Sequence, residues 1–132
     1  MLDWHHVGPT WPHHESSRFV EAQGLRWHVQ APGSGPLVLL LHGTGLGSYS
    51  WAPIIDRLAS RFTFVAPDFP GHAFTSMPAP DGLTLDAMAA GIRALLASAL
   101  PWLLPNHFGV SHVAAPGDLP DSVKWAFYLG AT

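Results

Sequence analysis

The chain has 132 residues, of which 48% are hydrophobic and only 11% charged, and its net charge is -3. That length holds at most one domain; the apolar content excludes a disordered chain, and the low charge predicts a protein that is poorly soluble unless something covers it. Without cysteine it has neither disulfides nor thiolate metal sites, and without a Lys/Arg cluster it lacks the basic footprint of a nucleic-acid binder.

Residues 1–16 are rich in Trp, His and Pro and show no periodicity, so they read as an extended N-terminal arm. They contain no positive segment followed by an apolar run, so they are no signal peptide. Arg18–Ala22 and Leu25–Gln30 are strand-like runs around Gln23-Gly24, which predicts a hairpin. Leu37–Leu41 is a continuous aliphatic run, as expected of a strand buried on both faces of a parallel sheet. A Gly-rich loop leads to a helix over 50–60, with Ser50 as N-cap and Trp51, Ile54, Ile55 and Leu58 on its buried face. Phe62–Ala66 is the next buried strand, and 69–82 is a Pro/Gly-rich loop. From Thr84 to Leu100 the residues Leu85, Met88, Ile92, Leu95, Leu96 and Ala99 recur at helical spacing, with Thr84 as the cap. No apolar run approaches the ~20 residues of a membrane span, so the expected location is cytoplasmic. Strand, helix, strand, helix predicts an α/β fold with parallel units. After Leu100 the pattern fails. Pro105 breaks the expected strand, and 105–132 read as an irregular tail beyond a partial core at 17–104.

Two motifs carry chemistry. His42-Gly43-Thr44-Gly45 follows a buried strand, where a Gly-rich turn exposes backbone N–H groups to a developing oxyanion. The Thr44 amide is the candidate donor, although a plain strand-to-helix loop has the same sequence. Asp68, with Gly71 and His72, lies in Pro67-Asp-Phe-Pro-Gly-His72. It reads either as a catalytic acid or, preferred here, as a turn former whose carboxylate accepts local N–H bonds. His5-His6 and His13-His14 suggest a metal site, but adjacent histidines point apart in an extended chain and no carboxylates organise them. No metal site and no cofactor are therefore expected. Trp4, Trp11, Trp27 and Trp51 offer rings for stacking on a ligand, but packing is the preferred reading.

Together these residues resemble the α/β-hydrolase superfamily. The finer resemblance is to the magnesium-chelatase accessory hydrolases of bacteriochlorophyll biosynthesis (the BchO type). It rests on Trp11-Pro-His-His-Glu-Ser-Ser-Arg-Phe-Val20, Gly24-Leu-Arg-Trp-His-Val-Gln30, Leu39-Leu-Leu-His-Gly-Thr-Gly45, Phe64-Val-Ala-Pro-Asp68 and Pro70-Gly-His72. It covers roughly residues 11–100. The resemblance implies an α/β-hydrolase fold and a role near magnesium insertion into protoporphyrin, with magnesium chelatase or a porphyrin as partner. It also implies a nucleophile elbow, Gly-His-Ser-Ala-Gly. Here the sequence is Gly109-Val-Ser111-His-Val113, with Val113 where a small residue belongs. Ser111 is the nucleophile position. The acid and base that follow it in this fold are missing: only Asp118, Asp121 and His112 remain, and His112 adjoins Ser111. The chain is therefore expected to be a truncated or frameshifted N-terminal fragment, without hydrolase activity and prone to aggregate alone. Two alternatives stand beside this. One is a serine esterase using Ser111, a residue that argues against the acidic nucleophile of dehalogenases and epoxide hydrolases. The other is a non-catalytic fragment that binds a partner protein or a tetrapyrrole.

Overall fold

A computed structural model describes residues 1–103 of the chain. Four strands form one sheet in the order β1-β2-β4-β3, with β1 at Ser17–Ala22, β2 at Leu25–Gln30, β3 at Leu37–Leu39 and β4 at Thr63–Pro67. β2 runs antiparallel to both β1 and β4, while β3 and β4 are parallel. The hairpin forms where expected. Gln23 and Gly24 both take positive φ, 49° and 72°. That is the geometry of a two-residue turn whose twist matches the flanking strands, and Gly at the second position meets no steric cost.

The sheet is covered on both faces. On one side Trp27, Val29, Leu37, Leu39 and Val65 pack with Ile92, Leu95 and Leu96 of helix α3 (Leu85–Leu103). On the other, Leu40, Phe64 and Ala66 pack with Ile55 of helix α2 (Ala52–Leu58). Trp27 is fully buried and its indole N–H donates to the Ala22 carbonyl at 3.2 Å, so the ring adds its apolar area to the core without leaving a donor unpaired. β4 is buried along its whole length, as the apolar run from Phe64 to Pro67 requires.

Several expectations need correction. Residues 1–16 are not extended. They wind into a helical turn α1 at Trp4–Val7 and two 3-10 turns at Gly8–Thr10 and His14–Ser16. Asp3 caps α1 through the His5 N–H. The Trp4 ring fixes the path by packing on Phe19, His28 and Phe74. Ser50 does not cap α2, because its hydroxyl turns back to the Gly47 carbonyl at 2.8 Å and a 3-10 turn at Ser48–Trp51 leads into the helix. Ile54 is 40% exposed, and the buried stripe of α2 centres on Ile55 instead. Thr84 does cap α3, its hydroxyl accepting the Ala87 N–H at 3.2 Å. The buried stripe of α3, however, begins only at Ile92, and Leu85 is 85% exposed. The first two turns of α3 border a cleft rather than the sheet. Among the described residues no helix is long and apolar enough to cross a membrane.

Candidate active site

The strand ends β3 and β4 deliver the two motifs to one place. The turn after β3 carries His42, Gly43, Thr44 and Gly45. The turn after β4 carries Asp68, Phe69, Gly71 and His72. The rings of His42 and His72 lie 5.2 Å apart. A cavity of about 570 Å³ opens beside them, lined by Leu41, His42, Gly43, Thr44, Phe69 and His72 and by the first turns of α3, including Leu85, Asp86 and Met88. Ligands of open α/β sheets bind at this end of the strands.

His42 is a structural wedge rather than a base. It is 3% exposed. Its Nε2 faces the Phe69 amide at 2.9 Å, and an amide only donates. Nε2 is therefore the acceptor, and the ring proton sits on Nδ1, which faces the Gly43 carbonyl at 2.8 Å. Both nitrogens are engaged in the neutral form. Burial lowers the pKa of this imidazole, outweighing the Gly43 carbonyl and the Asp68 charge, which favour the cation. The ring ties the turn after β3 to the turn after β4. Gly43, Thr44 and Gly45 themselves are exposed, and the Thr44 N–H donates to no group among the described residues. Thr44 lines the cleft, and an N–H without a partner among the described residues is available as an oxyanion donor.

Asp68 accepts one N–H from its own loop, that of Phe74, as its motif suggests, but its shorter bonds reach distant parts of the chain. It is fully buried. One carboxylate oxygen accepts the Ser48 N–H at 2.7 Å. The other faces His28 Nδ1 at 2.7 Å and takes the Phe74 N–H at 3.3 Å. Burial alone pushes this carboxyl up; the His28 hydrogen bond and charge and the Ser48 N–H more than offset that, so the net shift is downward. The backbone of Asp68 is held too, its carbonyl accepting the Thr75 hydroxyl at 2.7 Å and its N–H donating to His28 O at 3.0 Å. Asp68 thus joins β2, β4 and the loop before α2. It does not line the cleft.

His28, Thr75 and Ser48 escaped the reading from sequence. The alternation along β2 that places Trp27 against α3 turns His28 to the opposite face, but nothing local names Asp68, 40 residues on, as its partner. Gly47 has a signal of its own: a Cβ there would lie 3.3 Å from Asp68 Oδ1 and 3.2 Å from Ala73 Cβ, closer than ordinary contact, so a side chain would crowd the approach of the loop to the carboxylate. His72 sits at the cleft with Nδ1 3.1 Å from the Pro70 carbonyl. Ser111 lies outside the described residues, and no described serine lines the cleft. Among the described residues no group of three or more His, Cys, Asp or Glu side chains could hold a metal ion. Contrary to the expectation that no carboxylates organise the paired histidines, His13 pairs with Asp56 at 2.8 Å and His14 lies 3.6 Å from Glu15.

A family model described as alpha/beta hydrolase fold matches residues 36–112, more than half of the chain. The chain belongs to the α/β-hydrolase family. A magnesium-chelatase 30 kDa subunit from Rhodobacter capsulatus is 29% identical over 110 residues, 82% of this chain and 36% of that protein. A 2-(acetamidomethylene)succinate hydrolase from Mesorhizobium japonicum is 33% identical over 115 residues, 84% of this chain and 41% of that one. In three dimensions the chain is similar to an epoxide hydrolase from Vigna radiata, with a TM-score of 0.58 and 38% identity over 61% of this chain and 27% of that one. The chain thus spans well under half the length of the relatives it matches.

Proposed function

We propose that the chain forms the oxyanion side of a hydrolase cleft in a protein related to the magnesium-chelatase accessory hydrolases of bacteriochlorophyll biosynthesis, and that by itself it sustains no ester turnover. The observation that carries the hydrolase part is Thr44, an exposed residue lining the cleft whose N–H donates to no group among the described residues, in a turn that His42 anchors. Such a donor acts on charge that develops at a carbonyl oxygen during acyl transfer. The remaining parts are a nucleophile, for which Ser111 is the candidate, and an acid and a base to orient and activate it. His42 is excluded as that base by its two hydrogen bonds. The similarity to the magnesium-chelatase subunit supports the second half of the reading.

The test has two arms. With p-nitrophenyl acetate the 132-residue chain should give no steady-state release of nitrophenol above that of Ser111→Ala. Steady release that disappears in Ser111→Ala favours the esterase alternative. With protoporphyrin, the cleft wall of Leu41, Phe69 and Met88 offers an apolar face, whereas Trp4 and Trp11 already pack against other rings. Titration of protoporphyrin with the chain should shift its absorption band at micromolar protein, less so in Met88→Glu. An unshifted band removes the tetrapyrrole part and leaves the hydrolase part standing.

A further inference from the structure

On the face of the sheet opposite α3, three side chains line up that the cleft does not use. Ser17 Oγ lies 2.8 Å from His28 Nε2. His28 Nδ1 lies 2.7 Å from Asp68 Oδ2. This is hydroxyl, imidazole and carboxylate in the order that an activated serine, its base and the acid orienting that base require. With Nδ1–H directed at the carboxylate, Nε2 of the neutral ring faces the hydroxyl as acceptor. The strand register explains how the trio meets. Ser17 pairs with Gln30 across the hairpin and Phe19 with His28, so Ser17 and His28 sit diagonally on one face. Gln30 Nε2 adds a donor 3.3 Å from Ser17 Oγ.

The two ends of the line differ in access. Ser17 is half-buried and begins β1, the outermost strand of the sheet, so it is the end of the line with solvent access. His28 is completely enclosed beneath the rings of Trp4, Phe19 and Phe74. We propose that Ser17 is a nucleophilic serine, activated by His28 and Asp68 and separate from the cleft, which accepts an acyl or phosphonyl group from an activated ester or fluorophosphonate. In that step Ser17 Oγ bonds to the carbonyl carbon or phosphorus, and its proton moves to His28 Nε2. The leaving group, a phenolate or fluoride, departs as the anion, and the imidazolium stays paired with Asp68. Because the rings keep water from His28 Nε2, the imidazole cannot activate water to release the adduct. The product is a stoichiometric modification, not turnover.

The test is phosphonylation of the full chain with an excess of a fluorophosphonate at pH 8, followed by digestion and fragmentation that separates Ser17 from its neighbour Ser16. The expected result is a single adduct on Ser17, formed at least about tenfold faster than any on Ser16, as activation by an adjacent base implies. It should be absent in Ser17→Ala with the near-ultraviolet dichroism unchanged. A second variant covers the case in which a bulky phosphonate is blocked by shape. Ser17→Cys carries the sole thiol of a chain without cysteine, and beside an imidazole it should react with iodoacetamide at pH 6 about tenfold or more faster than free cysteine. A fast rate at residue 17 in either experiment upholds the proposal. Rates equal to Ser16 in the first and to free cysteine in the second overturn it, leaving the trio as a tie between β1 and β4.

Discussion

The Nε2 atom of His42 accepts the amide of Phe69 at 2.9 Å. This one bond joins the turn after β3 to the turn after β4, and it fixes the tautomer of the ring. Its consequences extend to pH. Burial lowers the pKa of His42 below its ordinary 6.5, so above pH 6.5 the folded and unfolded chains bind the same number of protons there. Below it the unfolded chain binds more. The contribution of the neutral ring is therefore complete above 6.5 and is lost as the pH falls toward the lowered folded value. Urea midpoints measured from pH 8 to pH 5 should decline over this window. In His42→Ala the midpoint should be lower throughout and the decline shallower. An unchanged slope would mean that the ring is not held neutral.

Asp68 acts at lower pH. Its folded pKa is depressed below 3.8, so its contribution is present above that value and disappears as the pH falls through the folded one. Asp68→Asn keeps the size but removes the charge, and an amide cannot accept both the His28 N–H and the Ser48 N–H at their present places. Losing a hydrogen bond to a buried charged group costs about 1.5–3 kcal/mol. Denaturant unfolding should show that loss at pH 7, and the two proteins should converge as the pH falls through the folded pKa of Asp68.

Gly47→Ala should be destabilising without any change of charge. The added methyl meets Asp68 Oδ1 and Ala73 Cβ at 3.3 and 3.2 Å, so the loop must retreat from the carboxylate. Overpacking of this size costs about 1–3 kcal/mol. Part of that cost is a longer Ser48 N–H bond to Asp68, which should appear as faster hydrogen exchange of the Ser48 amide. Exchange at the wild-type rate would show that the loop absorbs the methyl elsewhere.

Trp11 ties the leader to this network, its indole N–H donating to Ser48 Oγ at 3.0 Å while its ring packs edge-on to Phe74 and Tyr49. Trp11→Phe keeps an aromatic ring and deletes the donor, with an expected loss of about 1 kcal/mol. Protease sensitivity should rise in residues 1–16, with little change beyond β1. Equal cleavage rates would place the leader's anchorage in its other contacts, such as the Gln30 amide to the Pro12 carbonyl at 2.6 Å.

Thr84→Ala removes the side-chain oxygen that accepts the Ala87 N–H. Loss of such a cap costs about 1 kcal/mol, and Thr84→Ser should restore most of it. A stability equal to wild type in Thr84→Ala would show that the first turn of α3 contributes nothing, in keeping with its exposed Leu85.

The amino-acid pattern alone determined which segments become the hairpin, the two buried strands and the two helices, because period-2 and period-3.6 burial leave their mark on neighbouring residues. It also located both motifs at strand ends, since Gly and Pro must stand where the chain turns sharply. Four matters were decided only by the tertiary structure. Trp4, packing on Phe19 and Phe74, winds the leader instead of extending it. The first turns of α3 run beside the cleft, which leaves Leu85 and Met88 lining it. Asp68 finds His28 across 40 residues of sequence. Ser17 then finds the far side of the same imidazole. Periodicity records which face of an element is buried. It carries no record of which distant polar group completes a buried hydrogen bond, because that partner is chosen by the packing of the whole sheet.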